Sequence, residues 1–143
     1  MEQRILCLDV GTKRIGAAVS DPLGITAQGL ETIPNKGDEN NLKAVSVLAE
    51  QYGTDRILCG LPRNMDGSEG FQAQYVREFA SKLREAGFQV RFWDERLTTT
   101  IALRTLIEAD VSRKKRKASV DKIAAVQILS TLLDAGGWDR AKN

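Results

Sequence analysis

The sequence contains no histidine. That absence removes the Ser–His and Cys–His nucleophilic schemes, an imidazole general base and a histidine-ligated zinc site. Any chemistry falls to carboxylates, lysines, hydroxyls and a bound ion. Cysteine is scarce too: Cys7 and Cys59 are the only two, and each lies inside an apolar run. Such isolated thiols are core residues of a reducing compartment rather than a disulfide or metal pair. No apolar run has the length of a membrane span, and Met1-Glu2-Gln3-Arg4 enters a strand-like segment without a secretory apolar region. A cytoplasmic location and no membrane partner are expected. Aromatics make up only 6% of the chain and form no cluster in sequence, so broad base stacking is not indicated.

What is present fits one α/β domain over residues 1–143, with 42% hydrophobic and 28% charged residues. The net charge of +2 permits nucleic-acid binding without requiring it, so the placement of charge decides. Residues 4–10, 14–20 and about 25–33 read as three strands whose short connections make an antiparallel meander. A polar loop at 34–41 leads into a helix carrying Leu42, Val45, Ala49 and Tyr52, ended at Gly53. A buried strand at 56–61 follows, and then a loop at 62–68. Ser68 is expected to cap the next helix, whose apolar face is Phe71, Tyr75, Val76, Phe79 and Leu83 and whose end is Gly87. A strand at 88–93, a helix from about 97 to 109, a basic run at 113–117 and a helix from about 119 to 135 complete the order, with Gly136-Gly137 and a polar tail behind them. Helices between the later strands imply parallel crossovers. The expected sheet is therefore mixed and five-stranded, a three-strand meander plus two parallel strands, flanked by helices.

Three acids stand in unusual places. Asp9 interrupts the most apolar strand and shares its alternation face with Ile5 and Cys7. A carboxylate there is costly unless it is paired, hydrogen-bonded or metal-bound, although capping of the Gly11-Thr12 turn would also account for it. Glu95 lies just past the strand 88–93, where α/β folds place their sites, or serves as an acid before the following helix. Its neighbour Asp94 belongs to the opposite alternation face, with Phe92 and Val90. Asp121 opens the last helix, where an acid suits the dipole, yet Ala124, Ala125, Ile128 and Leu132 follow it at buried-face spacing. Three carboxylates from distant elements can meet only if the first strand is central. Oxygen-only donors of this kind suit Mg2+ or Mn2+, ions that activate water and stabilise the leaving oxygen in phosphodiester hydrolysis.

The strings LDVGTKRIGAAVSD at 8–21, GLPRNMDGS at 60–68, DERLTT at 94–99 and VDKIAAVQIL at 120–129 resemble the YqgF family. That family comprises bacterial proteins associated with pre-16S ribosomal RNA processing and similar to Holliday junction resolvases. The resemblance runs in order from about residue 4 to residue 135. It implies a ribonuclease-H-like fold, divalent-metal-dependent hydrolysis of phosphodiester bonds and maturation of the 5′ end of the small-subunit ribosomal RNA. It places the catalytic and metal-binding acids on Asp9, Glu95 and Asp121. Junction resolvases of the superfamily carry a further acid one turn along the last helix, where this chain has Ala124; that departure weighs against junction resolution. Arg63 stands where the family's loop often has an aliphatic residue.

Candidate nucleic-acid contacts are Lys13, Arg63, Asn64 and Arg96, together with Arg113, Lys114, Lys115, Arg116 and Lys117. The five-cation run reads as a loop before the last helix, either a solvated face or an arm that neutralises phosphates. The loop at 62–68 is equally a plain turn, since Asn, Asp and Gly are ordinary turn formers. The expected partner is a nucleic acid, structured RNA of a pre-ribosomal particle, met by a monomer or weak homodimer. Two other functions compete. The string DVGT with Gly16 is similar to the phosphate-binding hairpin of the actin, hexokinase and chaperone superfamily, but that superfamily needs two such domains and 143 residues hold one. A non-catalytic binding protein of transcription or ribosome assembly is the other.

Overall fold

A computed structural model describes residues 3–97 and 113–143, with the side chains of 113–122 outside the description. The apolar stretches form strands β1 (Ile5–Val10), β2 (Arg14–Ser20), β3 (Ala27–Gly29), β4 (Ile33–Pro34), β5 (Arg56–Leu61) and β6 (Gln89–Asp94). Their order in the sheet is β3-β2-β1-β5-β6, with β4 also on β2. The β1–β2, β2–β3 and β2–β4 pairs are antiparallel, and β1–β5 and β5–β6 are parallel. β1 is thus central, as its nearly unbroken apolar run requires.

The expected third strand, 25–33, is two strands. Ala18 pairs with Gly29 and Ile15 with Ile33, so the three residues 30–32 stand opposite Gly16 and Ala17. One extra residue on an edge strand breaks the ladder as a bulge does.

Helices α1 (Asp38–Gln51) and α2 (Phe71–Glu85) cover one face of the sheet, and α3 (Arg113–Ala135) covers the other. Alternation divides the strands between them. Leu6, Leu8, Val10, Ile57, Cys59 and Phe92 join Val45, Val76, Phe79 and Leu83, whereas Ile5, Cys7, Leu58 and Trp93 join Ala125, Ile128, Leu129 and Leu132. The two cysteines therefore belong to opposite core layers, and both are free and buried. Burial pushes the Cys59 thiol up to about 12, consistent with an inert core thiol.

Four local expectations are corrected. Gly70, not Ser68, precedes α2, and no side chain caps it, because Ser68 is held by Asp66 and Asn64. Phe71 lies outside the apolar face of α2, whose buried residues are Ala73, Val76, Phe79, Ala80 and Leu83. The basic run is helical: α3 already begins at Arg113, in keeping with the high helix propensity of Lys and Arg. The polar tail docks on the sheet. Trp138 is buried, with Arg56 and Arg91 over its ring at 5.6 and 4.8 Å, and Lys142 bridges to Phe92. Beyond Leu97, the helix expected at 97–109 lies outside the described residues. Among those residues no helix is long and apolar enough to cross a membrane.

Candidate active site

The carboxyl ends of the parallel strands β1, β5 and β6 meet at one edge of the sheet, the position at which α/β folds open a crevice. Asp9 is the penultimate residue of β1 and is half-buried, on the face shared by Ile5, Cys7 and α3. Opposite it in the antiparallel register stands Gly16. On the other side, continuing the pairs Cys7–Leu58 and Leu8–Cys59 by one residue puts Gly60 beside it. Asp9 is thus flanked by two residues without side chains. The space at Gly60 is filled by Glu95, from the turn after β6, and by Ile128 of α3. A Cβ added to Gly60 would stand 3.3 and 3.4 Å from Cγ and Cδ of Glu95, and 2.6 Å from Cδ1 of Ile128.

Glu95 begins the short 3-10 turn Glu95–Leu97 that follows β6. Asp9 and Glu95 line one cleft of about 280 Å3 with Val10, Gly11, Thr12, Pro62 and Gln72. The amide of Gln72 donates to the Val10 carbonyl at 2.9 Å and fixes the start of α2 to the end of β1. Both carboxylates also act on the buried Cys7 thiol. Burial and the neighbouring Cys59 push it up, and the negative charges of Asp9 and Glu95 push it further. Two of the three acids singled out in the sequence therefore converge.

Asp121 lies on α3 one turn before Ala124 and Ala125, which are buried against the sheet; its side chain lies outside the described residues. Among the described residues no group of three acids or thiols is placed to hold an ion. The donor set nevertheless fits a divalent cation of the hard type. Asp9 and Glu95 offer only oxygen and line one cleft.

Asp94 is committed elsewhere, as its opposite alternation implied. Arg96 donates to it through Nε at 3.0 and 3.1 Å and Nη2 at 2.6 Å, and Arg63 lies 4.0 Å away. These arginines also shape the loop at 62–68. Arg96 Nη1 donates to the Met65 carbonyl at 3.2 Å, its guanidinium packs on Gly67, and Arg63 pairs with Glu69 at 3.5 Å. Glu69 in turn accepts two hydrogen bonds from Arg77, at 2.5 and 2.8 Å. Asn64 serves the loop's own turn: its backbone carbonyl accepts from Gly67 N and its backbone N–H donates to the Ser68 carbonyl, both at 2.9 Å, and its side-chain amide donates to Ser68 Oγ at 3.0 Å. Arg63, Asn64 and Arg96 are thus framework residues of the loop at 62–68, which starts at the cleft-lining Pro62. Lys13 is exposed in the β1–β2 turn. The side chains of Arg113 through Lys117 lie outside the described residues. Signals missed in the sequence are Gly16 and Gly60, whose meaning depends on strand register, and Gln72, an ordinary polar residue until its partner is known.

The Arg96 hydrogen bonds, and then the charges of Arg96 and Arg63, hold the Asp94 carboxyl below its usual range, against the opposing effect of burial. A carboxyl depressed on folding stabilises the protein above the unfolded value of about 3.9, and that stabilisation is lost as pH falls through the folded value. Thermal melts of the parent and Asp94→Asn should differ by a constant amount above the unfolded value and converge as pH falls through the depressed folded value. A difference independent of pH across that window would remove the ion pairs from the loop's support.

The profile of the family described as "RuvX: Holliday junction resolvase" matches residues 3–135. A protein of Moorella thermoacetica named "Putative pre-16S rRNA nuclease" is 53% identical over 135 residues, covering 94% of this chain and 96% of its own length. A protein of the same name from Clostridium acetobutylicum is 50% identical over 133 residues, covering 92% and 98%. Among solved structures, Thermus thermophilus RuvC in complex with a Holliday junction substrate superposes with a TM-score of 0.61 at 12% identity, covering 99% of each chain. A second Thermus thermophilus RuvC structure gives 0.53 at 12% identity, covering 98% and 99%. At that identity the likeness establishes a ribonuclease-H-like fold, in agreement with the mixed sheet described above.

Proposed function

The chain belongs to the RuvX (YqgF) family, and from that membership and the carboxylate pair at the sheet edge we propose that it is a metal-dependent nuclease that matures the 5′ end of pre-16S ribosomal RNA. Nucleic-acid hydrolysis is the family's activity and this chain's. The single observation that carries the reading is the convergence of Asp9 and Glu95 on a cleft whose intervening strand has glycine at that level.

Asp9, Glu95 and Asp121 would hold the ions, Mg2+ or Mn2+. When bound, these supply Lewis-acid stabilisation of the phosphate's developing charge and a more acidic water. The chain's own residues do the rest. β1 and the turn after β6 hold two carboxylates rigidly at the mouth of the cleft. Lys13 and the cationic first turns of α3, Arg113 to Lys117, meet phosphates of the strand, beside a loop that the ion pairs of Arg63 and Arg96 hold in place. Contacts of this kind bind backbone and shape rather than sequence.

The ribosomal substrate is favoured over a four-way DNA junction by the relatives' names and by Ala124, which replaces an acid at the buried-face position one turn after Asp121. The test is a side-by-side digestion, in Mg2+ or Mn2+, of a transcript spanning the 5′ end of pre-16S RNA and of a synthetic four-way junction. Preferential cleavage of the transcript, abolished by EDTA, supports the reading. Symmetrical cuts in the junction with the transcript left intact would replace it with resolvase action.

A further inference from the structure

Six large apolar side chains are strongly exposed among the described residues, and three of them, Met65, Phe71 and Leu97, at 84%, 80% and 60%, belong to segments adjoining the residues that line the cleft. Phe71 opens α2 and immediately precedes Gln72, which lines the cleft and is tied to Val10. Leu97 closes the turn that Glu95 begins. Met65 is joined to that turn through its carbonyl and Arg96. These positions are not slack. The ion pairs among Arg63, Glu69, Arg77, Asp94 and Arg96 and the turn bonds of Asn64 hold the loop, so the apolar groups are displayed to water by a braced framework. Burying a side chain such as Phe is favourable, and a braced apolar patch beside a site marks an interaction surface.

Resting on the nuclease reading above, we infer that this rim takes an unpaired base of the substrate strand, with Phe71 as the stacking platform and Met65 and Leu97 beside it. The occupant follows from what shares the edge: the same cleft that accepts the sugar–phosphate backbone leaves only base faces to meet an apolar rim a residue or two away. In a continuous duplex those faces are covered by neighbouring base pairs, whereas a single strand, loop or frayed end exposes them. The substrate class is therefore a strand that is locally unpaired beside the scissile phosphate, and uninterrupted duplex is disfavoured.

The experiment measures binding in the Asp9→Asn background, so that turnover does not interfere. Two fluorescein-labelled RNAs of equal length are compared, one an uninterrupted duplex and one with an internal unpaired loop carrying 2-aminopurine. The looped RNA should bind about tenfold tighter than the duplex, and its 2-aminopurine emission should change on binding. Adding Phe71→Ala should bring the ratio to about one and abolish the emission change, while duplex affinity stays the same; Phe71→Trp should restore both. No preference in the Asp9→Asn protein, or a preference that survives Phe71→Ala, overturns the inference. Cleavage by the wild-type chain is scored separately. Loss of the ratio without any cleavage keeps the base platform and removes the nuclease reading, and cleavage with an unchanged ratio does the reverse.

Discussion

Asp9→Asn and Glu95→Gln should each lower metal-dependent cleavage by about a thousandfold or more while leaving the fold intact. Divalent ions contribute several kcal/mol of charge stabilisation in phosphodiester hydrolysis, and about 4 kcal/mol corresponds to that loss. Asn and Gln keep the shape of the side chain but give up the charge and half of the oxygen donors. Stability should not follow activity down. Asp9 is half-buried on the most apolar strand, where a carboxylate carries a desolvation cost that the neutral amide largely avoids. Melting temperatures equal to or above the parent, with activity lost, are the expected pattern of a site that spends stability on function. A variant that melts far below the parent would show that Asp9 serves the turn at Gly11-Thr12 instead.

Gly60→Val should remove activity through crowding, with no charge altered. The Cβ alone would come within 2.6 Å of Ile128 Cδ1 and 3.3 Å of Glu95 Cγ, well inside the usual carbon separation of about 3.5–4.0 Å. Overpacking of this kind costs about 1–3 kcal/mol, several degrees of melting temperature for a domain of this size. The stability and activity losses have different causes and can be separated. Ile128→Val deletes the Cδ1 atom that clashes, so the double variant should recover most of the stability. Glu95 remains displaced in it, and cleavage should stay at least about tenfold down, measured on protein shown to be folded at the assay temperature. Recovery of both together would mean that Gly60 serves core packing alone.

The parts of this site that were legible in the sequence are those fixed by alternation along one strand or one helix. Asp9 could be read because it interrupts an apolar run, and Glu95 could be separated from Asp94 because the two fall on opposite faces; the structure gives Asp94 to arginines and Glu95 to the cleft. What depends on the pairing of distant strands was not legible. Gly16 and Gly60 acquire meaning only once β1 lies between β2 and β5, and the split of the edge strand comes from a one-residue mismatch with β2. Helical spacing alone puts Phe71 inward with Tyr75 and Val76, but at the first turn of α2 that spacing carries little information, and the residue faces water. The residues after Gly137 read as a polar tail because most of them are polar, whereas the ring of Trp138 is buried with arginines of β5 and β6 over it. The basic run looked like a loop through charge alone, although its residue types favour helix.

If Asp9, Glu95 and Asp121 share one divalent ion site, Mn2+ titration followed by electron paramagnetic resonance reads it without any substrate. The parent chain should bind Mn2+ in competition with Mg2+, and Asp9→Asn, Glu95→Gln and Asp121→Asn should each weaken that binding by more than about tenfold. Asp121 is the decisive arm, since Lys117 stands one turn before it on α3 and offers an ordinary ion pair in place of a metal. Mn2+ held as tightly by the Asp121→Asn protein as by the parent would contradict the shared site.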